Sequence, residues 1–221
     1  KENTRTTPED YVAFCEVVGL PYQEEWPEPG VLDRSKIDIC LRTKEGVYDF
    51  STLKTLINRR LARTKTTDVK HGHRVIDVSV EPGGEKTIVA QTLDGEQKTF
   101  TFDFVVNAGY VNLNRFAHWV GAGAKMFQFN LQELCVIDIP VIPPIGITIQ
   151  DGPFPSFLPL GFSKNRCLFA HVEASQLVKD VSQRSTPLMN RVQNIVSNWA
   201  GVQEVSTPYI PLLTDARYIQ S

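Results

Sequence analysis

The chain has 221 residues, of which 42% are hydrophobic and 22% charged, with a formal net charge of −2. That length can bury a sizeable core, as one large domain or two small ones. The near-neutral, scattered charge carries no nucleic-acid footprint, no apolar run approaches the ~20 residues of a membrane span, and the polar start KENTRTTPED is not a signal peptide.

Thr7-Pro8-Glu9-Asp10 opens a helix with an N-cap hydroxyl, Pro at the first position and acids in the first turn, so a helix is expected over 8–18. Asp49 caps the next, over 50–63, with Phe50, Leu53, Leu56, Ile57 and Leu61 on one apolar face and Arg59, Arg60 and Arg63 near its end. SKIDICLRT between them alternates as a strand. From 66 to 106 the pattern becomes β: HRVIDVSVEP, KTIVAQTL and QKTFTFDFVV, joined at Gly83-Gly84 and Asp94-Gly95, predict a three-stranded meander. Phe102, Phe104, Val105 and Val106 read as a buried strand that stops abruptly at Asn107-Ala108-Gly109-Tyr110. A short helix follows over 111–120. MFQFNLQELCVIDIP reads as one long strand, and IGITIQDGPFPSFLPLG as a strand broken at Asp151-Gly152-Pro153. CLFAHVEAS reads as another strand, 178–199 as a helix interrupted at Pro187, and TPYIPLLTDARYIQS as an extended tail.

Cys15, Cys40, Cys135 and Cys167 are widely spaced with no CxxC pair, which argues against a zinc site or a disulfide framework. Three lie in apolar stretches as small buried hydrophobes, and a reducing cytoplasm is the expected setting. His71 and His73 suit an exposed polar turn better than a metal site. The chain opens on Lys rather than Met, as a piece of a longer protein would. The expected fold class is α+β, with a mixed, mainly antiparallel sheet and flanking helices.

EGVYDFSTLKTLINRRL, then GHRVIDVSV, then LDGEQKTFTFDFVVNAGYVN, then GITIQDGPFPSFLPLG and CLFAHVEAS, occur in that order. Taken together, they resemble the FAD-dependent oxidoreductases of the D-amino-acid-oxidase-like superfamily across nearly the whole chain. The resemblance implies a flavoenzyme oxidising a small amine, amino acid or hydroxy compound by hydride transfer to FAD. It places Val75 against the adenine ring and Asn107, Ala108 and Gly109 beside FAD, with Gly109 keeping the backbone clear and Tyr110 at the turn. The family usually reads Asn-Ala-Ala-Gly where this chain reads Asn-Ala-Gly-Tyr, a departure of one residue.

A dinucleotide fingerprint, GxGxxG between strand and helix, does not occur, and Gly121-Ala122-Gly123 runs into a strand. The resemblance therefore implies a single domain, 1–221. It would be the family's substrate-binding domain with one strand-turn-helix, about 101–121, from a FAD-binding domain otherwise missing. Alone it is expected to bind FAD weakly or not at all, and residues 101–108 are expected to pair poorly.

The substrate-pocket candidates are Asp151 and Phe154 at the strand break, Phe157 and Pro159 in SFLPL, and His171, the one titratable group in an apolar strand. Each has a structural alternative: an ordinary turn for Asp151, core packing for the aromatics and proline, a buried hydrogen-bonded role for His171. Lys125 is a solvated strand residue in the simpler reading. No catalytic residue can be singled out. The expected partners are a small-molecule substrate and, along an exposed strand edge, the missing nucleotide-binding segment or another chain. Nucleic acid and membrane are not expected. Two other readings stay open: a non-enzymatic ligand-binding or interaction domain derived from such a flavoprotein, and an α+β ligand-binding domain unrelated to flavin.

Overall fold

The computed structural model describes residues 4, 6–139, 145–185, 188 and 195–221. The elements run α1 (Pro8–Val18), β1 (Tyr22–Glu24), β2 (Leu41–Thr43), α2 (Phe50–Arg63), β3 (Arg74–Val80), β4 (Lys86–Gln91), β5 (Gln97–Phe102) and α3 (Leu113–Trp119). They continue with β6 (Phe127–Gln132), β7 (Cys135–Asp138), β8 (Ile147–Thr148), β9 (Pro155–Pro159), β10 (Arg166–His171), β11 (Gln176–Ser182), α4 (Trp199–Ser206) and β12 (Arg217–Gln220). This is an α+β fold, and the strand registers are antiparallel throughout the two larger sheets. No helix among the described residues is long and apolar enough to cross a membrane. The chain divides into two compact units: Lys1–Leu56, Gln132–Leu177 and Val196–Ser221 form one, Ile57–Leu131 and Val178–Ile195 the other.

The first unit is built on a five-stranded sheet in the order β12-β7-β10-β9-β8. Successive side chains of a strand point to opposite faces. Pro155, Phe157 and Pro159 of β9 and Cys167, Phe169 and His171 of β10 therefore turn inward together. Phe157, Phe169, Ile137 and Cys135 form a core with Val31, Leu32, Val202, Ile210 and Leu213. At one end of the sheet Arg166, Asp138 and Arg217 occupy a single row across three strands. Asp138 accepts from Arg217 Nη2 at 2.8 Å and from Arg166 Nε at 3.2 Å. Away from the sheet, α1 begins at the expected capping box, in which Thr7 and Asp10 satisfy each other's backbone N–H groups.

The second unit holds the β3-β4-β5 meander, with α3 packed on β3, and most of the two-stranded β6-β11 sheet. The meander turns form where expected: Thr92 N–H donates to Glu96 O, Glu81 N–H to Glu85 O, and Gly84 and Gly95 take φ of 89° and 90°, open to glycine. Asn114 of α3 joins three backbone groups, donating to Lys125 O at 2.6 Å and Gln183 O at 2.8 Å and accepting from Lys125 N–H at 3.0 Å.

Several expectations are corrected. SKIDICLRT contributes only the three residues of β2. MFQFNLQELCVIDIP is two strands in different sheets, because Glu133 turns inward between them: its N–H donates to Ser175 O at 2.8 Å and its side chain is 4% exposed. Residues 178–182 belong to β11 rather than a helix, since pairing with β6 satisfies their backbone, and Trp199 starts a helix rather than ending one. Residues 186, 187 and 189–194, with Pro187 among them, lie outside the described residues. The tail is not simply extended: burial of Ile210 and Leu213 folds it into a 3-10 turn (Pro211–Asp215) before β12 pairs with β7. Phe102, Phe104 and Val106, expected in a buried strand, are exposed, as are Phe50, Leu53, Leu56 and Ile57 of the apolar face of α2.

Glu133 Oε2 accepts the Asn198 N–H at 2.9 Å, while Oε1 has no well-formed hydrogen bond. Burial works to raise its pKa, but nearby Ser197 and Ser221, the Asn198 N–H and Cys135 together hold the carboxyl below its ordinary value. Its contribution is therefore complete above the unfolded Glu value, about 4.3, and lost as pH falls through the lower folded value. Replacing Glu133 by Ala is expected to cost about 1.5–3 kcal/mol, the scale of a hydrogen bond to a charged group. The stability gap to Glu133→Gln in urea melts should hold at neutral pH and shrink below about pH 4; a gap independent of pH would refute the charged assignment.

Candidate functional site

In the second unit, the stretch singled out in the sequence runs from the end of β5 into α3. Thr101 and Phe102 pair only with Thr87 and Lys86 of β4, and residues 103–108 join no ladder among the described residues. Lys86 Nζ donates to Asp103 O at 2.7 Å and lies 5.5 Å from the centre of the Phe104 ring. Phe104 and Val106 are nonetheless 87% and 88% exposed.

The small-residue step that follows is a self-contained turn. Asn107 Oδ1 accepts the Gly109 N–H at 3.0 Å, and its Nδ2 donates to Leu113 O at 3.2 Å. An Asn side chain bonding two residues ahead is the Asx turn. Gly109 has an ordinary φ of −72°, so its requirement is space. A Cβ there would meet Phe116 Cε2 at 2.9 Å and Asn107 Oδ1 at 3.0 Å. What approaches the backbone closely is thus the chain's own Phe116 ring. Ala108 is exposed, and Tyr110, also exposed, takes φ of 50°, a left-handed conformation costly for an aromatic residue.

Val75 is half-buried in β3, paired with Ala90 beside a bulge that ends at Asp77. An open depression of about 440 Å³ lies at that end of the meander, lined by Gly72, His73, Arg74, Gln91, Thr92 and Leu93. His73 Nδ1 bonds the His71 carbonyl at 2.8 Å in an exposed turn, and Lys125 is exposed. Among the described residues no group of three or more His, Cys, Asp or Glu could hold a metal ion.

In the first unit the strand break is a corner. Asp151 takes φ of 70° and accepts the Thr4 hydroxyl at 3.0 Å, and Ile149 N–H donates to Pro155 O across the turn. Phe154, Phe157, Pro159 and His171 all lie behind it, buried. Phe154 packs edge-on against Tyr209 at 5.3 Å, and Phe157 is 1% exposed in the sheet core. His171 Nδ1 accepts from Glu173 N–H at 3.2 Å and Ala174 N–H at 3.1 Å, so its proton sits on Nε2, which faces the Pro153 carbonyl. Burial pushes its pKa down, with Glu173 and that carbonyl drawing it partly back. The ring is a neutral clasp holding the Asp151–Pro153 corner to β10. Burial also pushes the Cys135 thiol up to about 12, helped by Glu133, and Cys167 to about 11, which keeps both protonated.

The structure thus buries Phe154, Phe157, Pro159 and His171 in the first unit while leaving Asp151 exposed, and gathers Asn107, Ala108, Gly109 and Tyr110 in one turn. Sequence reasoning missed Glu133 and Phe116. Glu133 could have been found as a carboxylate set between two apolar runs; nothing marks Phe116 apart from other helical aromatics. No family model, no curated protein and no solved structure matches the chain.

Two outcomes are expected. Gly109→Ala should destabilise the second unit by about 1–3 kcal/mol through overpacking, and Phe116→Leu should recover part of the loss; a neutral Gly109→Ala would refute the steric role. Because its folded pKa is depressed, His171 contributes fully above the ordinary value of about 6.5 and progressively less as pH falls through the folded one. Titrating the imidazole by NMR should give a pKa below the ordinary histidine value of about 6.5; an equal or higher value would overturn the neutral-clasp assignment.

Proposed function

We propose that the chain is the substrate-domain and strand-turn-helix portion of a FAD-dependent oxidoreductase that oxidises a small amine, amino acid or hydroxy compound. The observation that carries this reading is the stretch 103–106: it joins no ladder among the described residues, exposes Phe104 and Val106, and leads directly into a tight turn and a helix. Leaving two large apolar side chains in water forgoes about 1.5–3 kcal/mol each, and an open strand edge is a template for pairing. A cofactor-domain sheet supplied by another segment accounts for both. When bound, a flavin supplies the hydride acceptor, so the protein need only orient the substrate and exclude water.

These residues do not by themselves fit FAD. The polar atoms of Asn107 are committed to Gly109 and Leu113, and the space over Gly109 is filled by Phe116. No glycine-rich loop opens a helix N-terminus to a pyrophosphate. Ala108 and Tyr110, both exposed, are the members of the turn left to meet a cofactor edge. The second reading, a non-enzymatic binding or interaction domain of the same descent, is favoured by the inward burial of Phe154, Phe157, Pro159 and His171, which withholds four of the five pocket candidates from solvent.

The test is visible absorption after native purification and desalting, with and without added FAD, for this chain and for the product of the complete reading frame that contains it. The complete product should keep flavin bands that bleach anaerobically with a small amine, amino acid or hydroxy acid, while this chain stays colourless. A complete product that remains colourless after FAD would replace the oxidoreductase reading with the interaction domain. Flavin retained by this chain alone would refute the incomplete site.

A further inference from the structure

Of the four histidines, His171 alone belongs to the first unit, and it is 6% exposed. It ends β10 at a junction of three segments. Its N–H donates to Ser175 Oγ at 2.9 Å and its carbonyl accepts the Ser175 N–H at 3.1 Å, which folds residues 171–175 into a tight turn. The ring ties that turn to the corner before β9: Nδ1 accepts the Glu173 and Ala174 N–H groups, and Nε2 faces the Pro153 carbonyl. Val172 adds a backbone link, its N–H donating to Phe154 O at 3.2 Å. The N-terminal segment rests on the corner so held. Thr4 donates to Asp151, and the Gln150 side chain lies against the Tyr11 hydroxyl of α1.

Both ring nitrogens are thus committed in the neutral form. With Nε2 already carrying a proton, a second can go only to Nδ1, where it would point at two N–H donors 3.2 and 3.1 Å away. The imidazolium would lose both acceptor bonds, strand two backbone donors and hold a charge out of water, and each of these is costly. The titratable groups around the junction are Glu173 on the turn, Asp151 on the corner, Glu133 through its N–H bond to Ser175 O, and Tyr11 and Glu45 where α1 meets Gln150. Of these, Glu173 acts on the ring, favouring a positive charge.

We propose that His171 is an acid-operated latch: a proton on Nδ1 turns the ring out of its seat and releases the 172–175 turn, the 150–154 corner and the N-terminal segment fastened to that corner, while the sheet beneath stays folded. The charged ring then meets solvent and the Glu173 carboxylate. Phe154, 4% exposed and edge-on to Tyr209 in the latched form, is uncovered. Burial holds the pKa of the latched ring below the ordinary value of about 6.5, so the open form takes the proton more readily and opening grows as pH falls from there. With one proton taken up, the growth is at most about tenfold per pH unit. Carboxylates titrate near pH ~4, so the range from about pH 6.5 to 5 isolates the histidine.

Hydrogen exchange read by mass spectrometry on this chain, corrected for the intrinsic rate, tests the latch between about pH 7.5 and 5. Protection of peptides covering 4–11, 149–155 and 171–176 should fall by up to about tenfold per unit below about pH 6.5, while peptides from β7 and α4 keep theirs. In His171→Asn, whose Oδ1 takes the place of Nδ1 as acceptor but binds no proton, protection should not vary with pH. Glu173→Gln should move the onset to lower pH, because the charge that favours the imidazolium is gone. Protection independent of pH in the unmodified chain overturns the latch. So does an unchanged pH dependence in either variant, or loss of protection in β7 and α4 in step with the corner, which is ordinary acid unfolding. Should His171→Asn fail to fold, the presence or absence of the shift in Glu173→Gln decides the question by itself.

Discussion

Much of the first unit depends on one buried carboxylate. Glu133 stands at the break between β6 and β7, sends its N–H to Ser175 O and takes the Asn198 N–H on Oε2. Asn198 in turn donates to Ala174 O, and Ser175 Oγ accepts the His171 N–H. Three segments far apart in sequence are thereby tied at one point, where α4 begins. A negative charge near a helix N-terminus is favourable, which offsets part of the cost of taking it out of water. From that anchor Trp199 lies edge-on to Phe169 and stacks on Tyr218, and Val202, Ile210 and Leu213 close over the sheet.

The second unit follows a different logic. Its meander is held by backbone ladders and tight turns, with Val78, Ala90 and Phe129 among its few buried apolar side chains. Small cores leave little surplus stability. Local devices therefore matter more: the Asx turn at Asn107, the close fit of Phe116 over Gly109 and the three bonds of Asn114. Those devices complete the turn into α3, yet they leave the stretch before it without partners. The result is a finished turn behind a stretch that joins no ladder among the described residues.

The inward groups of the first unit are committed to holding its fold. His171 is neutral and fully engaged, and the Cys135 and Cys167 thiols are held protonated. Asp151 keeps a strained, exposed position at the rim of that core. Strained backbone of this kind persists only where its surroundings enforce it. Here the enforcing elements are the His171 clasp and the β8–β9 pairing on either side of the corner.

The sequence by itself determined whatever is written within a few neighbouring residues. The Thr7–Asp10 box starts α1, Asp49 starts α2, Gly-Gly and Asp-Gly turn the meander, and Asp151-Gly152-Pro153 breaks a strand, because caps and turns are chemistry of adjacent groups. Only tertiary structure decided the rest. Leu177, Val178 and Val181 suit a helix or a strand, and pairing with β6 chose the strand. Ile210 and Leu213 sit in a proline-rich tail that reads as extended until a core exists to receive them. Phe102, Phe104, Val105 and Val106 read as a buried strand, but hydrophobicity states only a preference for burial. Whether a surface is there to satisfy it depends on which segments the fold brings alongside.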